Sequence, residues 1–189
     1  MTSEKKFPLQ QGDLDSLCGV YATINALSLA TKDHGWPDKS ADPIVKAERL
    51  FVHLVERIVL ATDGNLFRAT TEGLDPPDVV WLVDIAENYW NDGRRGFRTS
   101  ANRLAFPPVK NEKMPNFDVI MNHLKKGGQV ILAYGQGKDI EHYTVVLDVS
   151  DAGRTINLFD SYGIAEMTHT DGAFSIGNDK VTIMNAILI

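Results

Sequence analysis

Cysteine is nearly absent from this chain of 189 residues, with Cys18 the single thiol. One thiol closes no internal disulfide and cannot supply a cysteine-rich zinc site. Long apolar runs are missing too. Stretches such as Val145–Leu147 and Ile187–Ile189 fall far short of the ~20 residues that span a bilayer. The leading MTSEKKFPLQQGD has no apolar core of a secretory signal. These absences predict a cytoplasmic protein without a membrane partner; export by a signal-less route would leave no such trace. An excess of positive charge is also lacking, since 19 Lys and Arg face 25 Asp and Glu, for a net charge of −6. That balance argues against nucleic acid as partner, because counterion release needs many clustered cations. There are no repeats, no low-complexity tracts and no HExxH-type spacing, so neither a metal nor another cofactor is expected.

What is present reads as one domain over residues 1–189 with an ordinary globular composition, 43% hydrophobic and 23% charged. Leu17, Val20, Tyr21, Ile24, Leu27 and Ala30 recur at helical spacing and predict a helix from Ser16 to Thr31, capped by Asp15 or Ser16. Asp42-Pro43 and Asp75-Pro76 open two more, since proline suits the first helical position. A fourth runs from Asn116 to Lys126 and stops at Gly127-Gly128. Beyond it the texture changes. Gln129–Tyr134, His142–Val149, Thr155–Tyr162 and Lys180–Leu188 are β-branched and aromatic runs between Gly and Asp clusters, which predicts strands. The helical part therefore covers about 15–128 and the sheet part about 129–189. Segregated helices and antiparallel strands predict an α+β fold with one layer packed on the other.

Cys18 falls at the start of the first helix. The exposed N–H groups and the dipole at that end favour an anion, and so the thiolate form of a cysteine. A lone cysteine is more often a small buried hydrophobe, so the reading depends on a base and on a group that orients the base. His142 opens one predicted strand and Asp160 closes the next. If Asp151-Ala152-Gly153 forms a three-residue hairpin loop, residues 150 and 154 face each other. His142 then lies opposite Tyr162, and Asp160 is its diagonal neighbour on the same face. A two-residue loop shifts the register by one and separates them. Asp148, six residues along the same strand, is about 20 Å from His142 and cannot serve. His53 falls on the polar face of the second helix, His34 and His169 fall in loops, and His123 flanks an apolar stripe. Acyl-transfer chemistry also needs donors for a developing oxyanion. The Cys18 N–H is one candidate and the Gln11 side chain another, with Gln10 as its competitor.

Gln11, Leu17-Cys-Gly-Val-Tyr-Ala-Thr-Ile-Asn-Ala26, His142-Tyr-Thr-Val-Val and Leu158-Phe-Asp-Ser161 together resemble the papain-like cysteine peptidase superfamily. The likeness is to its compact bacterial branch of bacteriocin leader peptidases and effector proteases or deamidases. Gln11 stands seven residues before the cysteine, where that superfamily usually has six. The resemblance implies a papain-like fold, a helical lobe whose catalytic helix packs on an antiparallel sheet. It implies Cys18 as nucleophile, His142 as general base and acid, Asp160 as orienter and Gln11 as oxyanion donor. The expected activity is hydrolysis of a peptide or isopeptide bond in a protein or peptide substrate. The same residues suit a glutamine deamidase or transglutaminase, and a non-catalytic binding module is the rival from another class.

Two further features stand apart. From Arg94 to Lys113 six cations accompany one acid, Glu112, in an acidic protein. A solvated loop explains this, as does a docking surface for an acidic partner. Trp81 and Trp90 on the third helix are expected in the core.

Overall fold

The computed structural model describes residues 17–30, 43–61, 73–91, 102–105, 117–136, 142–150, 155–170 and 173–189. Four helices lie among them: α1 (Cys18–Ala30), α2 (Pro43–Ala61), α3 (Pro76–Asn91) and α4 (Phe117–Lys125). Their ends follow from local chemistry. Pro43 and Pro76 occupy first helical positions, as predicted. Ahead of α3, the Asp75 carbonyl accepts from Val79 N–H, while Asp78 Oδ2 accepts from Asp75 N–H. The Asp78 side chain thus satisfies the backbone donor of the residue that precedes the helix, one half of a capping box. At the end of α4, Gly127 takes φ +86°. Gly127 N–H then reaches the Leu124 carbonyl and Gly128 N–H the His123 carbonyl, the paired bonds of a Schellman cap.

The strands are β1 (Asn102–Ala105), β2 (Val130–Gly135), β3 (His142–Val149), β4 (Thr155–Phe159), β5 (Glu166–Thr170), β6 (Ala173–Ile176) and β7 (Asp179–Leu188). All pair antiparallel, in the order β1-β7-β2-β3-β4-β5-β6, and β6 pairs back onto β7. That last pairing closes a barrel of six strands, β2 to β7, with β1 attached outside the ring. The ten residues of β7 make closure possible. Phe174–Ile176 pair with Asp179–Val181, while Thr182 to Leu188 pair with β2. The β1 ladder uses the far end of the same strand, Asn185 to Leu188.

This corrects the predicted architecture. A papain-like helical lobe on an open antiparallel sheet is not what the chain forms; it forms a closed barrel with helices around it. Alternating patterns reveal strands, but they do not reveal whether the first and last of them meet. The two short strands that complete the ring, β5 and β6, carry Glu166, Thr168, Thr170 and Ser175 and were not predicted as strands at all.

Every barrel strand contributes to the interior. Val130 and Leu132, Val146, Ile156 and Leu158, Met167, Phe174, and Ile183 and Ala186 form one cluster, joined by Ile120 of α4. Burying a large aliphatic side chain stabilises by roughly 1.5–3 kcal/mol, so this cluster dominates the stability of the ring. The outer face of β2, β3 and β7 is covered by α1. Cys18, Ala22, Ala26 and Leu29 pack there on Ile131, Ala133, Tyr143, Val145 and Ile187. The opposite side of α1, through Val20, Ile24 and Leu27, packs on Leu50, Leu54 and Ile58 of α2 and Leu82 and Ala86 of α3. Hence α1 is buried nearly all round, as a helix between two layers must be. Trp81, expected in the core, is instead 38% exposed on α3.

Candidate functional site

Cys18 is the first residue of α1, two residues after the predicted start at Ser16. The Leu17 carbonyl accepts from Val20 and Tyr21 N–H, so the helix begins at the cysteine. Its neighbour Gly19 allows this end of α1 to lie close to α3. A Cβ there would stand 2.9 Å from Val79 Cγ2 and 3.2 Å from Leu74 Cδ1. Cys18 itself is buried, 7% exposed, at the barrel-facing side of α1.

His142 is the first residue of β3 and Asp160 follows the last residue of β4. The register that brings them together is not the simple hairpin. Ser150 N–H donates to the Thr155 carbonyl, and Val149 pairs with Ile156 and Asp148 with Asn157. The residues of the connection, 151–154, lie outside the described residues. Continued without interruption, that ladder would place His142 and Asp160 on opposite faces of the sheet. A bulge at Leu147 prevents it. Beyond the bulge Val146 pairs with Leu158 and Val145 with Phe159, which is the predicted register. Leu147, the extra residue, is 42% exposed. One inserted residue resets the alternation, so His142 and Asp160 share the face that lines the barrel.

The two side chains meet there. His142 Nε2 and Asp160 Oδ2 are 2.8 Å apart and both are buried. Asp160 Oδ1 accepts Tyr162 N–H at 2.8 Å and Ile164 N–H at 3.4 Å. With Nε2 committed to the carboxylate, Nδ1 is left for the third group. The Cys18 thiol lies within hydrogen-bonding reach of the same imidazole, arriving from α1 at the rim of the barrel. Two tyrosines flank the ring. Tyr134, paired with His142 across β2, meets it edge-on at 5.5 Å, and Tyr162 lies tilted against it at 5.0 Å.

Electrostatics follow the contacts. Burial alone would push the His142 imidazole down. Hydrogen bonds to Asp160 and Cys18, and negative charge on both, outweigh burial and raise it to about 9. Burial likewise opposes ionisation of Asp160, but His142, the nearby Thr144 hydroxyl and Tyr162 N–H hold its carboxyl below the usual range. At neutral pH the pair is therefore an imidazolium on a carboxylate.

Gln11 and Gln10 lie outside the described residues, as do Asp15, Ser16, His34 and the segment 94–113 except the β1 backbone. The remaining histidines are elsewhere. His53 stacks on Tyr89 of α3 at 4.4 Å. His123 Nε2 hydrogen-bonds the Ile189 carbonyl oxygen at 2.8 Å, tying α4 to the chain end of β7. His169, predicted in a loop, stands on β5 against Phe174. Asp148 is engaged by the Asn157 side-chain amide, away from His142. Among the described residues no cluster of His, Cys, Asp and Glu could hold a metal ion, and no helix is long and apolar enough to cross a membrane. Sequence reasoning missed Thr144, whose hydroxyl is buried beside Asp160. The alternation from His142 already placed it on the same face. Compared with protein-family models and with curated proteins, the chain matches none.

Proposed function

We propose that the protein is a cysteine hydrolase that cleaves a peptide or isopeptide bond in a protein or peptide substrate. One observation carries this reading: the buried His142 imidazole is hydrogen-bonded to the Asp160 carboxylate and is also acted on by the Cys18 side chain. A protonated imidazole beside the sulfur supplies the counter-charge that a thiolate nucleophile needs, and the carboxylate fixes the ring. The order of the glutamine, cysteine, histidine and aspartate motifs, which resembles the papain-like peptidases, supports the same chemistry. The closed barrel means that this support rests on motifs and not on architecture.

In the proposed reaction the Cys18 thiolate adds to the carbonyl carbon. The oxyanion that forms accepts a hydrogen bond from Cys18 N–H at the helix start, with Gln11 as the second proposed donor. His142 passes its proton to the departing amine as the C–N bond breaks, leaving a thioester. The neutral imidazole then takes a proton from water, which attacks the thioester and releases the acid and the thiolate. The same groups would release ammonia from a glutamine side chain, so deamidation or transglutamination is the second reading. A cytoplasmic setting and an acidic partner for residues 94–113 belong to the same proposal.

A substrate can be sought by incubating the full chain and its Cys18→Ala variant with cell lysate and comparing intact masses of the proteins present. New fragments made only by the unmodified chain support hydrolysis, and a gain of about one dalton supports deamidation. Equal turnover of a purified target by Cys18→Ala contradicts both.

A further inference from the structure

Thr144 stands in the interior of β3 with 1% of its surface exposed, paired with Leu132 across β2. Its hydroxyl oxygen is buried and, among the described residues, has no hydrogen-bond partner. A valine would fill the same space without that penalty, because a buried hydroxyl left unsatisfied costs stability. The register explains what the hydroxyl faces. Val145 pairs with Phe159 and Val146 with Leu158, so one position further along Thr144 falls opposite Asp160. Strand alternation also puts it on the same face as His142, two residues before it.

The Asp160 carboxylate has room for it. Among the described residues, Oδ1 receives two backbone N–H groups, from Tyr162 and Ile164, whereas Oδ2 receives only His142 Nε2. A carboxylate oxygen can accept two hydrogen bonds, so one site on Oδ2 is open. We propose that Thr144 is a positioning residue for Asp160, its hydroxyl turning to donate to Oδ2 and so fixing the carboxylate plane against the imidazole. This rests on the proposed hydrolase chemistry for its consequence in turnover, but not for the hydrogen bond itself. The nearby hydroxyl already contributes to holding the Asp160 carboxyl down. The other titratable groups around it, among the described residues, are His142 of β3, Cys18 of α1 beyond the ring, and Tyr134 and Tyr162 at its flanks.

The test uses the full chain with Thr144→Val, Thr144→Ala and Thr144→Ser, and aspartate labelled with 13C at the carboxyl. The Asp160 titration midpoint is expected to move up toward the ordinary carboxylate range in Thr144→Val and Thr144→Ala, and to stay in place in Thr144→Ser. A packing role gives the reverse ranking. Valine, which keeps the shape, would then be silent, and serine, which loses a methyl group, would be the disturbed variant. An unmoved midpoint in valine and alanine overturns the proposal. Once a substrate is in hand, Thr144→Val should lower kcat roughly tenfold with KM unchanged, the effect of about one hydrogen bond to a charged group. A shifted midpoint together with full turnover in Cys18→Ala would retain the hydrogen bond and refute the hydrolase reading. These two failures are therefore distinguishable.

Discussion

His142 at the barrel rim and His53 on the α2 surface respond to their surroundings in opposite directions. His53 stacks on Tyr89, and partial burial followed by the Arg57 charge lowers it, with Glu56 only partly opposing. His142 is far more buried, yet it is raised to about 9. The difference lies in the sign of what the buried ring touches. A ring against an aromatic and a cation loses its proton more readily, whereas a ring beside a carboxylate and a thiol keeps it. Burial alone therefore does not mark a site. Three charged or ring partners on α2 and α3 leave His53 a surface residue, and two acids at the rim make His142 a candidate catalyst.

The largest expected effect comes from removing the sulfur. Cys18→Ala should abolish turnover of any authentic substrate while circular dichroism and the unfolding midpoint stay close to the parent, since the site is small and alanine suits the buried helix position. Asp160→Ala should weaken turnover less than Cys18→Ala does. It should also cost stability of about 3–5 kcal/mol in urea unfolding, as expected when one partner of a buried ion pair is removed. Deleting Leu147 should leave turnover and rapid alkylation of Cys18 by iodoacetamide at pH 6.5 intact. The Asp148–Asn157 ladder then runs straight into Val146–Leu158 and keeps His142 and Asp160 on one face.

The pH dependence sharpens the contrast between the two histidines. Because His142 is raised from 6.5 in the folded protein, its contribution is complete below about 6.5 and is lost as pH rises toward about 9. Asp160 is lowered, so its contribution is present above the ordinary carboxylate value and is lost as pH falls through its depressed folded value. Their joint stabilisation should thus be greatest in mildly acidic solution. His142→Gln should remove the alkaline decline in unfolding free energy between pH 6.5 and 9. His53→Gln should leave that decline and turnover intact, with a stability change within about 0.5 kcal/mol, as for a surface substitution.

Much of this comparison was legible in the sequence, and the limits have physical causes. Pro43, Pro76 and the Gly127-Gly128 pair mark helix boundaries through backbone geometry that holds in almost any tertiary setting. The β3 bounds, His142 to Val149, agree with its apolar run. The partnership of His142 with Asp160 was also reached, but through a three-residue loop that the chain does not use. The ladder closes at Ser150 and Thr155, and the bulge at Leu147 supplies the missing shift. Nothing in Val146-Leu147-Asp148 announces that bulge, because a bulge answers to the pairing of two strands and not to one strand's composition. Closure of the barrel was invisible for a similar reason. It depends on β7 meeting both β2 and β6, and on polar β5 and β6, whose local pattern is weak. His169 accordingly looked like a loop residue and stands on a strand.

Titrating the protein with 15N-labelled histidine side chains tests the His142 imidazolium most directly. The His142 ring should remain doubly protonated at pH 7.5 and titrate near 9. It should fall toward the ordinary histidine range in Asp160→Asn, while the His53 resonance stays put. A His142 ring that is neutral at pH 7.5 and indifferent to Asp160→Asn would contradict the account.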